Sequence, residues 1–196
     1  MAERISEIKR KTAETDVSVT LNLDVGNDPC IETGIGFFDH MLVLFGKHSG
    51  FSLSVHAAGD TEVDFHHTVE DVGICMGAAL QKALGDKSGI NRFASADVPM
   101  DEVLAHVALD LSGRPFTAFH VPVMQEKVGE FDVSLIEEFM RAFANSSGLN
   151  LHINVAYGKN AHHICEAIFK ALARALASAT AIDGTDSGIP STKGLL

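Results

Sequence analysis

From Val17 to Asp24 apolar and polar residues alternate as Val-Ser-Val-Thr-Leu-Asn-Leu-Asp. That two-residue period predicts a strand with one buried face. Leu104 to Leu111 carries a matching run. Between them the period lengthens. Phe37, Met41, Leu44 and Phe45 share a helical face, and Gly50 can end that helix. Phe51–Val55 alternates again as a strand, and Gly59-Asp60 reads as a turn. Thr68 to Leu84 is apolar at 69, 72, 76, 80 and 84 and stops at Gly85. The same order returns as a helix over Leu135–Ala144, a strand over Leu149–Val155 and a helix over His162–Ala179. Each half thus reads strand, turn, strand, helix, strand, helix. Residues 85–100 read as a junction and 183–196 as a Gly/Pro/Ser tail. The prediction is an α+β chain of two duplicated units, 1–90 and 91–182, each a small sheet with helices on one face.

A motif repeats with the elements. His66-His67-Thr-Val-Glu70 and His162-His163-Ile-Cys-Glu166 are both H-H-x-x-E, 96 residues apart. Upstream, Phe45 aligns with Phe143 and Gly50 with Gly148 at an offset of 98. On a helix, residues i and i+4 lie one turn apart on one face. His66 with Glu70, and His162 with Glu166, can therefore reach one divalent ion each. The second histidines, His67 and His163, point about 100° away. Two ions, with each helix donating to both, is the economical arrangement. Nitrogen plus carboxylate donors suit Mn, Zn, Fe or Co. His40 precedes the first motif, and its counterpart by the duplication is Glu138. Both are candidate further ligands, although Glu138 reads equally well as an exposed helix carboxylate.

Composition narrows the function classes. The chain has 196 residues, 46% hydrophobic and 21% charged, enough for a buried core without disulfides. Its net charge of −11 disfavours non-specific nucleic-acid binding. Cys30, Cys75 and Cys165 are odd in number and widely spaced, as in a reducing cytoplasm. Met1–Arg10 is too charged for a secretory leader, and no run is long enough to span a membrane. The sequence contains no H-E-x-x-H, phosphate-binding loop, G-x-S-x-G or G-x-G-x-x-G. Arg92, Arg114 in Ser-Gly-Arg-Pro, and Lys193 in Ser191-Thr192-Lys193-Gly194 are candidate anion clamps, or else solvated charges. Glu14, and Asp101 with Glu102, sit at equivalent ends of duplicated strands. They are candidate general bases, or else strand-end solubilising charges.

These residues resemble the imidazoleglycerol-phosphate dehydratase family. The matching segments are Arg10–Thr15, Thr33–Leu42, Asp64–Gly73, Met100–Glu102, Asp110–Pro115, Gly158–Glu166 and Ser191–Gly194, in order along the chain. The resemblance implies duplicated ribosomal protein S5 domain 2-like units, with helices packed between two sheets. It implies a hydro-lyase of histidine biosynthesis that converts imidazole glycerol phosphate to imidazole acetol phosphate through imidazolate and diazafulvene stages. It implies a monofunctional enzyme with two Mn2+ ions per site, in a 24-subunit shell whose sites lie between subunits; the composition adds the expectation of a cytoplasmic protein with no nucleic-acid or membrane partner. The metal ligands carried over are His40, His66, His67, Glu70, His162, His163 and Glu166, with Glu138 where many relatives have histidine. Catalytic roles fall to Glu14, His40, His67 and Glu166. Substrate contacts fall to Glu14, His40, His66, Arg92, Arg114, His162, Ser191, Thr192 and Lys193. The rival reading is a non-catalytic metal-dependent assembly or metal-storage protein; a di-metal phosphoesterase would need an Asp-rich ligand pattern that is missing.

Overall fold

The computed structural model describes residues 3–122, 127–182 and 188–194. It opens with a hairpin, β1 (Ile5–Lys11) and β2 (Thr15–Asn22), in register from Ile5 opposite Asn22 to Lys11 opposite Asp16. In β2 the residues Val17, Val19 and Leu21 are buried while Asp16 and Thr20 face out, as the alternation predicts. A short strand β3 (Cys30–Glu32) leads into α1 (Gly36–Ser49), β4 (Ser52–Gly59) and α2 (His66–Leu84). β4 pairs antiparallel with β2 and parallel with β3, so α1 is a crossover between parallel neighbours.

The second half repeats this plan. β5 (Phe93–Met100), β6 (Val103–Asp110), β7 (Phe116–His120), α3 (Leu135–Ser147), β10 (Asn150–Tyr157) and α4 (Ala161–Thr180) give sheet order β5-β6-β10-β7, matching β1-β2-β4-β3. A two-residue hairpin, β8 (Lys127–Val128) and β9 (Phe131–Asp132), precedes α3. Gly50 and Gly148 end α1 and α3 in the left-handed conformation, the same punctuation at the same place.

Two expectations need correction. Residues 93–100 are not junction but the edge strand β5. Only Val98 in it is fully buried, so its apolar signal is weak. The short strands β3 and β7 also went unforeseen, because three to five residues at a sheet edge carry little periodicity. Of the tail at 183–196, residues 183–187 and 195–196 lie outside the described residues.

Helices of each half pack on their own sheet and against the other half's helices, α2 with α3 and α1 with α4. Phe139 of α3 is fully buried, its ring 5.5 Å from Phe38 of α1 and 5.4 Å from Phe169 of α4. The α2–α3 contact is close because α2 carries Gly73 and Gly77. A methyl group at Gly77 would lie 2.5 Å from the Phe143 carbonyl oxygen and 2.8 Å from the Ser146 Cβ. Gly77→Ala should therefore destabilise the fold by about 1–3 kcal/mol. Gly36→Ala, where a methyl group meets nothing within 4 Å, should change stability by less than about 0.5 kcal/mol. Denaturant unfolding of both variants checks this; equal stabilities would refute the close-approach account.

Candidate metal centre and anion pocket

α1 presents His40 towards the first turns of α4. Its orientation starts at Thr33, whose N–H and Oγ1 donate to Asp39 Oδ1 at 2.9 and 2.6 Å, fixing the entry to α1. One residue on, His40 Nε2 lies 2.9 Å from Glu166 Oε1. His162 Nε2 lies 3.1 Å from the same oxygen. Phe37 sets its ring edge-on to His162 at 5.2 Å. The other carboxylate oxygen accepts from Lys170 Nζ at 2.6 Å. Glu166 is only 8% exposed. Burial alone would raise its pKa; hydrogen bonds from Lys170, His40 and His162 outweigh that and hold it at about 2. Donor atoms of His40, His162 and Glu166 fall within 4.8 Å of one another. Two imidazole nitrogens and a permanently ionised carboxylate fit a divalent transition ion.

The second histidines turn aside, as helical geometry requires. His163 Nδ1 lies 2.8 Å from Glu102 Oε2. Glu102 Oε1 accepts the N–H groups of Asn160 at 2.9 Å and Lys159 at 3.3 Å. The His163 hydrogen bond, followed by that from Asn160, depresses the Glu102 pKa to about 2. In the first half, His67 Nδ1 lies 3.0 Å from Asp60 and 3.9 Å from Glu14. A carboxylate on Nδ1 fixes the ring and leaves Nε2 outward for an ion. The Glu14 turn is itself tied down. Thr12 Oγ1 accepts the Glu14 and Thr15 N–H groups, the Asp60 N–H donates to the Glu14 carbonyl, and buried Asp71 of α2 takes Arg10 Nε at 2.8 Å.

His66, Glu70 and Glu138 form no comparable group among the described residues. His66 lines a cavity of about 590 Å³ with Asp64, Lys127 and Glu130. By the duplication this set matches Glu166, His162 and His40, but with two carboxylates. Like charges do not close on each other as imidazole and carboxylate do. Lys170 and Asp60 were not anticipated. Lys170 could have been found as the i+4 neighbour of Glu166; the Asp60–His67 contact joins a turn to a helix and has no local signature.

Arg92, Arg114, Ser191, Thr192 and Lys193 come together around a polar cavity of about 770 Å³ with Ser112 and Gly113. Arg92 is already engaged. Its guanidinium pairs with Asp110 at 2.7 and 3.1 Å and donates to the Pro190 carbonyl at 2.8 Å. It ties the tail to the sheet. The side chains of Arg114 and Lys193 have no hydrogen-bond or ion-pair partner among the described residues and can take an anion. The thiols Cys75 and Cys165 are buried, and burial pushes them up to about 11 and about 12, so they are unreactive.

The depressed carboxylates predict an acid limb for the metal-free protein. Glu102 and Glu166 drop from 4.5 to about 2 on folding. Their stabilisation is complete above 4.5 and lost as pH falls towards 2. His163, raised above 6.5 chiefly by Glu102, carries the opposite sign: its contribution is full below 6.5 and fades as pH rises through the raised value. Thermal melts in chelator should show stability falling below pH 4.5, with a shallower fall in Glu102→Gln. An unchanged slope in that variant would remove Glu102 from the account.

The sequence profile of imidazoleglycerol-phosphate dehydratase matches residues 33–176. The chain is 52% identical over 197 residues to the imidazoleglycerol-phosphate dehydratase of Syntrophus aciditrophicus, covering 100% of each. It is 56% identical over 193 residues to that of Caldanaerobacter subterraneus, covering 98% of this chain and 100% of the relative. A crystal structure of the Staphylococcus aureus enzyme superposes with a TM-score of 0.83 at 42% identity, covering 91% of this chain and 99% of the other. The Pyrococcus furiosus structure gives 0.83 at 36% identity, with 96% and 100% covered. With the fold, the doubled H-H-x-x-E helices and the full-length similarity in agreement, the chain belongs to the imidazoleglycerol-phosphate dehydratase family.

Proposed function

We propose that this chain dehydrates imidazole glycerol phosphate to imidazole acetol phosphate in histidine biosynthesis, as a metal-dependent cytoplasmic enzyme. The observation that carries the reading is the pairing of a nitrogen–carboxylate donor set with a separate cavity holding two cations, Arg114 and Lys193, that are unpaired among the described residues. A phosphorylated imidazole substrate needs both. A metal-storage or structural assembly has no use for the cavity at Arg114 and Lys193.

The reaction is difficult because the proton to be removed sits on a carbinol carbon with no carbonyl beside it. When bound, divalent ions, best two Mn2+, supply Lewis acidity to the imidazole ring. His40, His162 and Glu166 would hold one ion; His66, His67, Glu70, Glu138 and His163 are the remaining proposed ligands. Those five form no three-donor group among the described residues, which suits sites completed by neighbouring copies in a 24-subunit shell. Lys170 keeps Glu166 ionised and oriented. Arg114, Lys193 and Ser191 hold the phosphate end and fix the reacting carbon against Glu14. Glu14 takes the proton. Asp60 holds His67 in its place, so the Glu14 carboxylate is left unlocked. Glu102, with both oxygens bonded and a pKa of about 2, is too weak a base for that step.

Glu14→Gln should lower kcat by about two to four orders of magnitude with a much smaller change in KM. Near-normal turnover would exclude Glu14. Arg114→Ala and Lys193→Ala should instead raise KM by about 10- to 100-fold, the worth of one charge-assisted contact to phosphate. Steady-state kinetics with metal content checked separates the two classes. Chelation should abolish turnover, Mn2+ should restore it, and size-exclusion chromatography of the stripped protein should show smaller species. A metal-loaded, fully assembled particle without turnover would favour the assembly reading.

A further inference from the structure

Lys87 follows α2 in the segment that joins the two halves. It is 7% exposed, and its backbone φ of +62° lies in the left-handed region that side-chain-bearing residues rarely adopt. A buried ammonium is costly unless it is partnered. Its Nζ donates to the Leu111 carbonyl at 2.9 Å. The Leu111 N–H in turn donates to the Arg92 carbonyl at 3.2 Å. Leu111 is thus gripped through both of its backbone polar groups, and it is the residue immediately before Ser112, Gly113 and Arg114 in the wall of the 770 Å³ cavity.

The charges behind that wall do not cancel. Arg92 and Asp110 neutralise one another at 2.7 and 3.1 Å. Of these three described groups Lys87 adds a positive charge beyond the Arg92–Asp110 pair; burial, ahead of the attraction to Asp110 and the repulsion from Arg92, lowers its pKa from the usual lysine value. In a partly buried setting such a charge is weakly screened and favours an anion in the cavity.

We infer that Lys87 is a positioning residue for the anion-binding turn Ser112–Arg114, tethering its leading carbonyl and adding a surplus cation behind it. This rests on reading the cavity as the site of the substrate phosphate. Lys87 does not line the cavity, so its effect passes through the turn.

The test uses the full chain with its metal restored and compares Lys87→Met, Lys87→Gln and Arg114→Ala. KM and kcat are measured together with competitive inhibition by inorganic phosphate. Lys87→Met should raise KM about tenfold and weaken phosphate inhibition by a similar factor, with kcat within about threefold. Lys87→Gln keeps a donor for the Leu111 carbonyl and should fall between wild type and Lys87→Met. If Arg114→Ala leaves both constants unchanged, the phosphate reading of the cavity fails. If Arg114→Ala raises them and a folded Lys87→Met does not, Lys87 has no positioning role. Should Lys87→Met not fold, Lys87→Gln decides on the same readouts. Wild-type constants in a folded Lys87→Gln, or failure of both to fold, would make Lys87 a structural residue only and overturn the inference.

Discussion

A carboxylate buried where the two halves of the chain meet must be satisfied from both. Glu166 draws His162 and Lys170 from its own helix and His40 from the other half. Without those partners a group 8% exposed would shed its charge. With them it stays ionised at any ordinary pH, and two imidazole nitrogens stay trained on one oxygen. This arrangement needs α1 and α4 to cross at a set height, and the aromatic packing of Phe139 against Phe38 and Phe169 supplies it. The core fixes the height of the helices, and the helix ends then carry the donors.

Duplication placed equivalent carboxylates at the ends of the two hairpins, and the halves use them differently. Glu102 is pinned between His163 and two backbone N–H groups. In the first half Asp60 takes over the histidine, and Glu14 stands 3.9 Å from it. A carboxylate bonded through both oxygens cannot readily accept another proton, whereas one relieved of that duty can. The departure from symmetry leaves one carboxylate locked in orienting a histidine and the other free of that duty.

The parts legible in the sequence were those with a local period. β2 and β6 alternate, the four helices follow the 3.6-residue repeat, and the doubled H-H-x-x-E marks the helices that carry the donors. The edge strand β5 was missed because Asp97 and Pro99 interrupt an exposed strand that packs on one side only. The pairings His163–Glu102, His67–Asp60 and Lys87–Leu111 join residues remote in sequence or across unlike elements, and no spacing rule encodes them. The anion cavity was legible as a set of residue types, since basic residues beside glycines stand out in an acidic chain. That Arg92 also pairs with Asp110 was not, because the partner lies across a strand pair.

That last pairing bears on how a chain of net charge −11 can still carry a cation-lined cavity. Exposed charges are screened over about 8 Å at physiological ionic strength, so the distant acidic surface contributes little at any one cavity. What matters is which local charges remain unpaired. Behind this cavity, among the described residues, the Asp110 carboxylate is matched by Arg92. Arg92, Arg114 and Lys193 line the space, the last two without a partner among the described residues, and Lys87 stands behind the wall. Arg92 itself, through its bond to the Pro190 carbonyl, anchors the segment that brings Lys193 into place, so pairing the carboxylate and assembling the cationic wall are done by one side chain.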